Sequence, residues 1–235
     1  MPHNVQVAGD QAIQLRKETY GYFRNRYYVP CDMNKPEAIA ARGRPREFCV
    51  DHALAQALRV FWEKGYEGTS LTDLTDAMGI TRPSLYAAFG NKESLFRKAL
   101  DLYEREKLDY IGKALAQPTA RGVAETMLRG AVDNVMSCDE PHGCLGVITS
   151  VACGAESQSI REEVVKRGQA GRLALIDRFE RAKAEGDLPA AIDAEGLTSV
   201  LIAMLQGISI QANQGADKAA LERLVESGLA LWPSA

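Results

Sequence analysis

The chain contains no apolar run of the ~18–20 residues that a membrane-spanning helix needs. Its opening residues lack the apolar core of a signal peptide, so secretion is not expected and a cytoplasmic location is. Cysteine is scarce and odd in number, with Cys31, Cys49, Cys138, Cys144 and Cys153 making five. Without a secretion signal, that count points to reduced thiols and not to a disulfide framework. The short motifs of nucleotide and metalloprotease chemistry, GxGxxG, GxxxxGK[ST] and HExxH, are missing as well. No apolar/polar alternation persists long enough to make a strand, and there is no internal repeat or low-complexity stretch. A helical membrane protein and a disulfide-stapled secreted domain are thereby excluded. An all-α fold with no cofactor is expected.

Positive charge is also short, with 28 Lys and Arg against 31 Asp and Glu. Its distribution is more informative. Residues 41–100 carry 9 basic and 7 acidic side chains, a net +2, whereas residues 101–235 carry 14 and 20, a net −6. Residues 1–40 carry 5 and 4. A mildly basic segment joined to an acidic one suits a head that meets phosphate on a body that does not.

Residues 1–40 show no period, and three readings stand for them. The cluster Tyr20, Tyr22, Phe23, Tyr27 and Tyr28 with Arg24 and Arg26 fits a nucleic-acid arm. The segment also fits a flexible extension, or a natural start at Met33. From Glu47 the pattern turns helical, with Phe48, Leu54, Ala57, Leu58 and Phe61 near i, i+3, i+4 spacing, ending near Lys64-Gly65. Ser70 with Asp73 three residues on reads as a capping box. Leu71, Leu74 and Met78 make the next apolar stripe. Gly79-Ile80-Thr81 reads as a tight turn, Thr81 as the cap of the following helix, and Pro83 as a residue of its first turn. Leu85 and Phe89 would enter the core, and Asn91 would cap a fourth helix from Lys92 to about Tyr110. Two short helices about such a turn outline a helix-turn-helix, which reads duplex DNA through the second helix. Beyond Pro118 the periodicity predicts helices at about 120–137, 145–155, 159–185, 193–213 and 217–231.

Many residues agree at fixed spacing with one family. Phe61, Gly65-Tyr66 and Thr69-Ser70 are followed by Ala77, Gly79-Ile80, Ser84-Leu85-Tyr86, Phe89, Lys92 and Leu95. The segment Ala55 to Leu100, roughly a fifth of the chain, resembles the N-terminal domain of the TetR (tetracycline-repressor-like) transcriptional regulators. The long 1–40 extension departs from the usual short leader. The resemblance implies a three-helix DNA-binding domain over 41–91, joined to a larger helical effector-binding and dimerisation domain over 92–235. It implies that the helix from Arg82 is the recognition helix, with Thr81, Arg82 and Ser84 near base edges or phosphates. An Arg can pair with the O6/N7 edge of guanine. Tyr86 and Lys92 match phosphate-contacting positions, against the plainer readings of a packing residue and a surface charge. Ser70 is a further candidate, because helix N-termini offer N–H groups to phosphate. Arg42-Gly43-Arg44-Pro45 resembles an AT-hook, so Arg42 and Arg44 are candidates for a minor-groove arm or for a basic linker.

One recognition helix buries too little surface for high specificity, so a homodimer reading a palindromic operator is expected. Two stripes are the candidate interface, Leu197, Val200, Leu201, Met204, Leu205 and Ile208 with Leu221, Leu224, Val225, Leu229 and Trp232, against the plainer reading that both face the monomer's own core; Ala203 and Gly207 would permit close helix approach. The resemblance further implies a small-molecule effector among the middle helices, with Met127, Val135, Met136, Leu145, Ile148, Phe179 and Met204 as candidate lining. Binding would release a repressor from DNA by population shift. Cys138, His142, Cys144 and Cys153 lie close in sequence. They read as buried filler, as redox or electrophile sensors, or as soft-metal ligands, although the spacing fits no compact zinc pattern. A thiol nucleophile with His142 as base is the enzymatic alternative. No oxyanion or cofactor motif accompanies it.

Overall fold

The computed structural model describes residues 48–137, 143–152 and 157–233, which lie in one unit running from Phe48. Every regular element among them is a helix. None of these helices is long and apolar enough to cross a membrane.

Helix α1, Val50–Gly68, is interrupted at Gly65, where φ is 70° and only glycine is unstrained. The backbone turns there, and the Thr69 hydroxyl donates to the Gly65 carbonyl at 2.6 Å. Helix α2, Leu71–Met78, begins on the capping box: the Asp73 N–H donates to Ser70 Oγ at 3.0 Å and the Ser70 N–H to Asp73 Oδ2 at 2.8 Å. Gly79 ends it in the left-handed region (φ 64°), which turns the chain into α3, Arg82–Phe89, capped by Thr81. Helix α4, Lys92–Lys107, is capped by Asn91, whose Oδ1 accepts from the Ser94 N–H at 2.7 Å.

The fourth helix stops earlier than its periodicity predicts. It breaks at Leu108, and a separate short helix α5, Asp109–Leu115, follows. The body then comprises α6, Ala120–Val135; α7, Leu145–Ala152; α8, Gln158–Ala184; α9, Ala194–Asn213; and α10, Lys218–Ala230.

Two apolar cores organise these helices. The first gathers Phe61, Trp62, Leu74, Leu85, Phe89, Phe96 and Tyr103 from α1–α4 and continues into the body through Leu145, Ile160 and Val164. Aromatic edges meet there, Phe61 on Phe96 at 5.0 Å and Trp62 on Tyr103 at 4.9 Å between ring centroids. The second packs α6 against α8, α9 and α10 through Met127, Leu128, Val135, Leu175, Phe179, Leu201, Ile208 and Leu221. Each fully buried large side chain contributes about 1.5–3 kcal/mol relative to exposure.

The two cores meet at Gly143 and Cys144. The buried Trp62 indole N–H donates to the Gly143 carbonyl at 2.9 Å, across 81 residues of sequence. The Cys144 N–H donates to Ser209 Oγ at 2.7 Å. Gly143 has φ 93°, and a Cβ there would sit 3.5 Å from the Ser209 carbonyl.

Candidate nucleic-acid interface

The head presents one polar edge. On α3, Leu85 and Phe89 are buried in the first core and fix the helix against α2 and α4, which turns its other side to solvent. Thr81, Arg82, Pro83 and Tyr86 are exposed and Ser84 is half-buried. Thr81 and Ser84 are engaged with each other, hydroxyl to hydroxyl at 3.0 Å, as parts of the cap. Arg82 reaches across the turn, its Nη2 donating to Thr72 Oγ1 at 2.9 Å. Tyr86, half exposed at 50 %, stands on the outer face of the helix and not in the core.

Ser70 lies at the start of α2, exposed, with its hydroxyl shared with Asp73. Asp73 also holds Lys64 at 2.6 Å. The hydrogen bond from Lys64 comes first, and those from Ser70 follow, in holding the Asp73 carboxyl far below the usual carboxylate range. Asp73 therefore stays charged, and the same bond raises the Lys64 pKa, so the two form a charged pair. Lys92, at the first turn of α4, lies with its Nζ 4.5 Å over the Tyr66 ring, a cation–π arrangement. Thr72 and Tyr66, which hold the two cations, were missed in the sequence. The first is an ordinary exposed helix residue and the second reads only as part of a motif. Arg42 and Arg44 lie outside the described residues.

The other candidate residues fall in three groups. Of the apolar stripes, Leu201, Ile208, Leu221 and Leu229 are buried within the chain's own second core. They have no surface to give to a partner. Leu197, Leu205 and Leu224 are half-buried against that core, and the Met204 side chain occupies the space that a Cβ on Gly228 would take. Of the candidate lining, Met127, Val135, Leu145 and Phe179 are buried and Met136, Ile148 and Met204 half-buried. They are split between the two cores: Leu145 and Ile148 belong to the first, the others to the second.

Cys144 is half-buried beside the Tyr103 hydroxyl. Burial first, and then the neighbouring thiol, push the Tyr103 hydroxyl well above its ordinary pKa, and the same two causes raise Tyr110. Asn134 Nδ2 donates to the Tyr103 oxygen at 3.4 Å. Two phenols, an amide and a thiol thus gather where the two cores meet. Cys138, His142 and Cys153 lie outside the described residues. Among those described, no cluster of His, Cys, Asp and Glu could hold a metal ion.

Residues 53–99 match the family described as bacterial regulatory proteins, tetR family, and residues 124–227 match the tetracyclin repressor-like C-terminal domain. The HTH-type transcriptional repressor ComR of Escherichia coli is 34% identical over 195 residues, which span 82% of this chain and 93% of ComR. A cysteine-substituted form of the TetR family regulator CifR, solved with a 26-base-pair double-strand operator DNA, superposes with a TM-score of 0.76 at 41% identity, covering 81% of this chain and 100% of CifR. A TetR regulator from Rhodococcus sp. RHA1 is 38% identical with a TM-score of 0.56, covering 78% of this chain and 98% of its own. A helix-turn-helix head with an exposed recognition edge, a helical body and these likenesses agree, and the chain belongs to the TetR family of bacterial transcriptional regulators.

Proposed function

We propose that the protein is a repressor that binds a palindromic DNA operator as a homodimer and leaves it when a small molecule binds the body. The observation that carries this is the edge of α3. Its apolar side is locked in the core, and Thr81 and Arg82 stand exposed at the helix N-terminus, the end that enters the major groove in a helix-turn-helix. ComR is named a transcriptional repressor, and CifR was solved on its operator. Arg82 would read a base, and Lys92, Tyr86 and Ser70 would position the head on phosphates.

The dimer is best placed on a face that the monomer leaves uncovered. Val165 and Leu173 on α8 and Val200 and Ile210 on α9 are 44%, 53%, 54% and 46% exposed. On α9 the stripe runs Val200, Ala203, Gly207, Ile210, at i, i+3, i+7, i+10. Gly207, Gly168 and Gly171 have open space where a Cβ would be, so nothing within the monomer calls for glycine there. Close approach of a second copy would. The interface therefore combines the outer faces of α8 and α9, with the inner stripe of α9 left to the monomer core.

The effector is best accommodated where Tyr103, Tyr110, Asn134 and Cys144 meet. These are hydrogen-bonding groups in apolar surroundings, close to both the head and α9. The test begins with operator sites selected from genomic DNA. Fluorescence anisotropy should show salt-sensitive, saturable binding of two chains per site, and Arg82→Ala should weaken it by about 1–3 kcal/mol at one base position. Val200→Asp should give a monomer by sedimentation that no longer holds the operator. Equal binding to every duplex, or a dimer that survives Val200→Asp with Ile210→Asp, overturns the respective part.

A further inference from the structure

We infer that Thr72 is a positioning residue for base recognition: its hydroxyl orients the Arg82 guanidinium before DNA arrives. The inference rests on the reading of Arg82 as the base-contacting residue. Arg82 and Thr72 sit on different helices, α3 and α2, ten residues apart, and meet at 2.9 Å from Nη2 to Oγ1. Both are exposed, so no burial forces them together. Among the described residues, Thr72 Oγ1 is the hydrogen-bond partner of the Arg82 side chain, and no carboxylate lies within ion-pair distance of it.

The chemistry of that partner matters. A guanidinium has five N–H donors in a rigid plane. One spent on a hydroxyl leaves four, and the full charge. A carboxylate in the same place would cancel the charge, as Asp73 does for Lys64 at 2.6 Å in the adjoining turn. The neutral acceptor therefore fixes direction without lowering the attraction to DNA. An unrestrained arginine must be ordered on binding, whereas one already held loses less freedom when it forms paired bonds to a guanine edge.

Thr72 is itself held in a fixed frame. It is the second residue of α2, just inside the Ser70–Asp73 capping box, and its carbonyl accepts from the Thr75 hydroxyl at 3.1 Å. The restraint thus ties Arg82 to the best-capped helix start in the head. A different role for the same hydroxyl is a direct bond to a DNA phosphate, and the two roles differ in what they do to sequence discrimination.

The experiment measures full-length wild type, Thr72→Val, Thr72→Ser and Arg82→Ala against the selected operator and every single-base variant of it, by anisotropy at two salt concentrations. Valine keeps the shape and removes the acceptor. The expected result is that Thr72→Val loses about 2- to 12-fold in affinity for the intact operator, the worth of ordering one long side chain. The loss should fall on the base positions that Arg82→Ala flattens. Binding to unrelated DNA and the salt slope should stay as in wild type, and Thr72→Ser should restore discrimination. A uniform loss across all sequences identifies a phosphate contact and overturns the inference, as does no loss or a loss at other positions. If Arg82→Ala flattens a position and Thr72→Val does not, only this inference fails. If Arg82→Ala flattens none, the reading of Arg82 fails with it.

Discussion

Replacing Trp62 by phenylalanine tests the join between the two cores. Trp62 is fully buried, its indole N–H is bonded to the Gly143 carbonyl at 2.9 Å, and its ring stands edge-on to Tyr103 at 4.9 Å. Phenylalanine keeps an aromatic ring and loses the donor, which leaves a buried carbonyl without its partner at about 1–3 kcal/mol. It also removes roughly three heavy atoms from a packed site, worth about 2 kcal/mol at ~0.8 kcal/mol per methylene-sized group. The expected destabilisation is about 3–5 kcal/mol, a large share of the ~5–15 kcal/mol typical of a domain. Urea unfolding followed by far-ultraviolet circular dichroism, at matched protein concentration because a dimer's stability depends on it, measures the change. Fluorescence would not serve, since Trp62 is one of two tryptophans. A loss under about 1 kcal/mol at an unchanged urea slope would refute the assignment of Trp62 as the tie.

Three further outcomes follow from the geometry. Gly130→Ala places a Cβ 2.5 and 2.6 Å from two Tyr110 ring carbons and 2.9 Å from the Tyr110 Cβ. A clash so near the backbone cannot be relieved by rotating the ring. The overpacking cost of about 1–3 kcal/mol should outweigh the ~1 kcal/mol gain in helix propensity, so the melting temperature should fall and a rise would count against it. Tyr66→Leu should weaken operator binding about 2- to 5-fold by releasing Lys92 from its ring, whereas Tyr66→Phe keeps the ring and should bind as wild type; equal losses for both would remove the cation–π account. In an alkaline titration at 295 nm, Tyr103 and Tyr110 should ionise later than ordinary phenols. Their folded pKa values lie above the unfolded value near 10, so the stability they contribute is intact below that pH and declines as pH rises through the folded values. All eight tyrosines ionising together near pH 10 with the fold intact would be the contrary result.

The head was legible in the sequence because its signals are local. Ser70 with Asp73, Gly79 before Thr81, and Asn91 before Lys92 each encode a cap or a turn within four residues, and the structure closes each with the expected hydrogen bond. The break at Leu108 was not legible, since no glycine or proline marks it. Leu102 to Tyr110 keeps helical periodicity, and packing overrides a weak local preference. The face of α9 was ambiguous for another reason. Leu197, Leu201, Leu205 and Ile208 form one apolar stripe, while Val200, Ala203, Gly207 and Ile210 form a second on the same helix. Periodicity alone cannot say which turns inward. The bulkier stripe fills the core and the smaller one is left outside. The tie from Trp62 to Gly143 spans 81 residues and has no local signature at all.

The position of that tie bears on how body and head can communicate. Gly143 and Cys144 are consecutive, and their backbone groups bond in two directions, the carbonyl of one accepting from Trp62 on α1 and the N–H of the other donating to Ser209 on α9. Cys144 also lies beside the Tyr103 hydroxyl on α4, the helix that leads directly out of the head. Ser209 is buried while its neighbour Ile210 is 46% exposed on the uncovered face of α9. A shift of α9 therefore acts on one peptide unit that also holds the long helix of the head. Packed cores resist continuous deformation, so such a shift is either refused or passed on. A ligand among Tyr103, Tyr110 and Asn134 would press on the same junction from its other side. The coupling proposed for a ligand of the body would therefore act through this one peptide unit, on whether the bonds from Trp62 and to Ser209 are satisfied together.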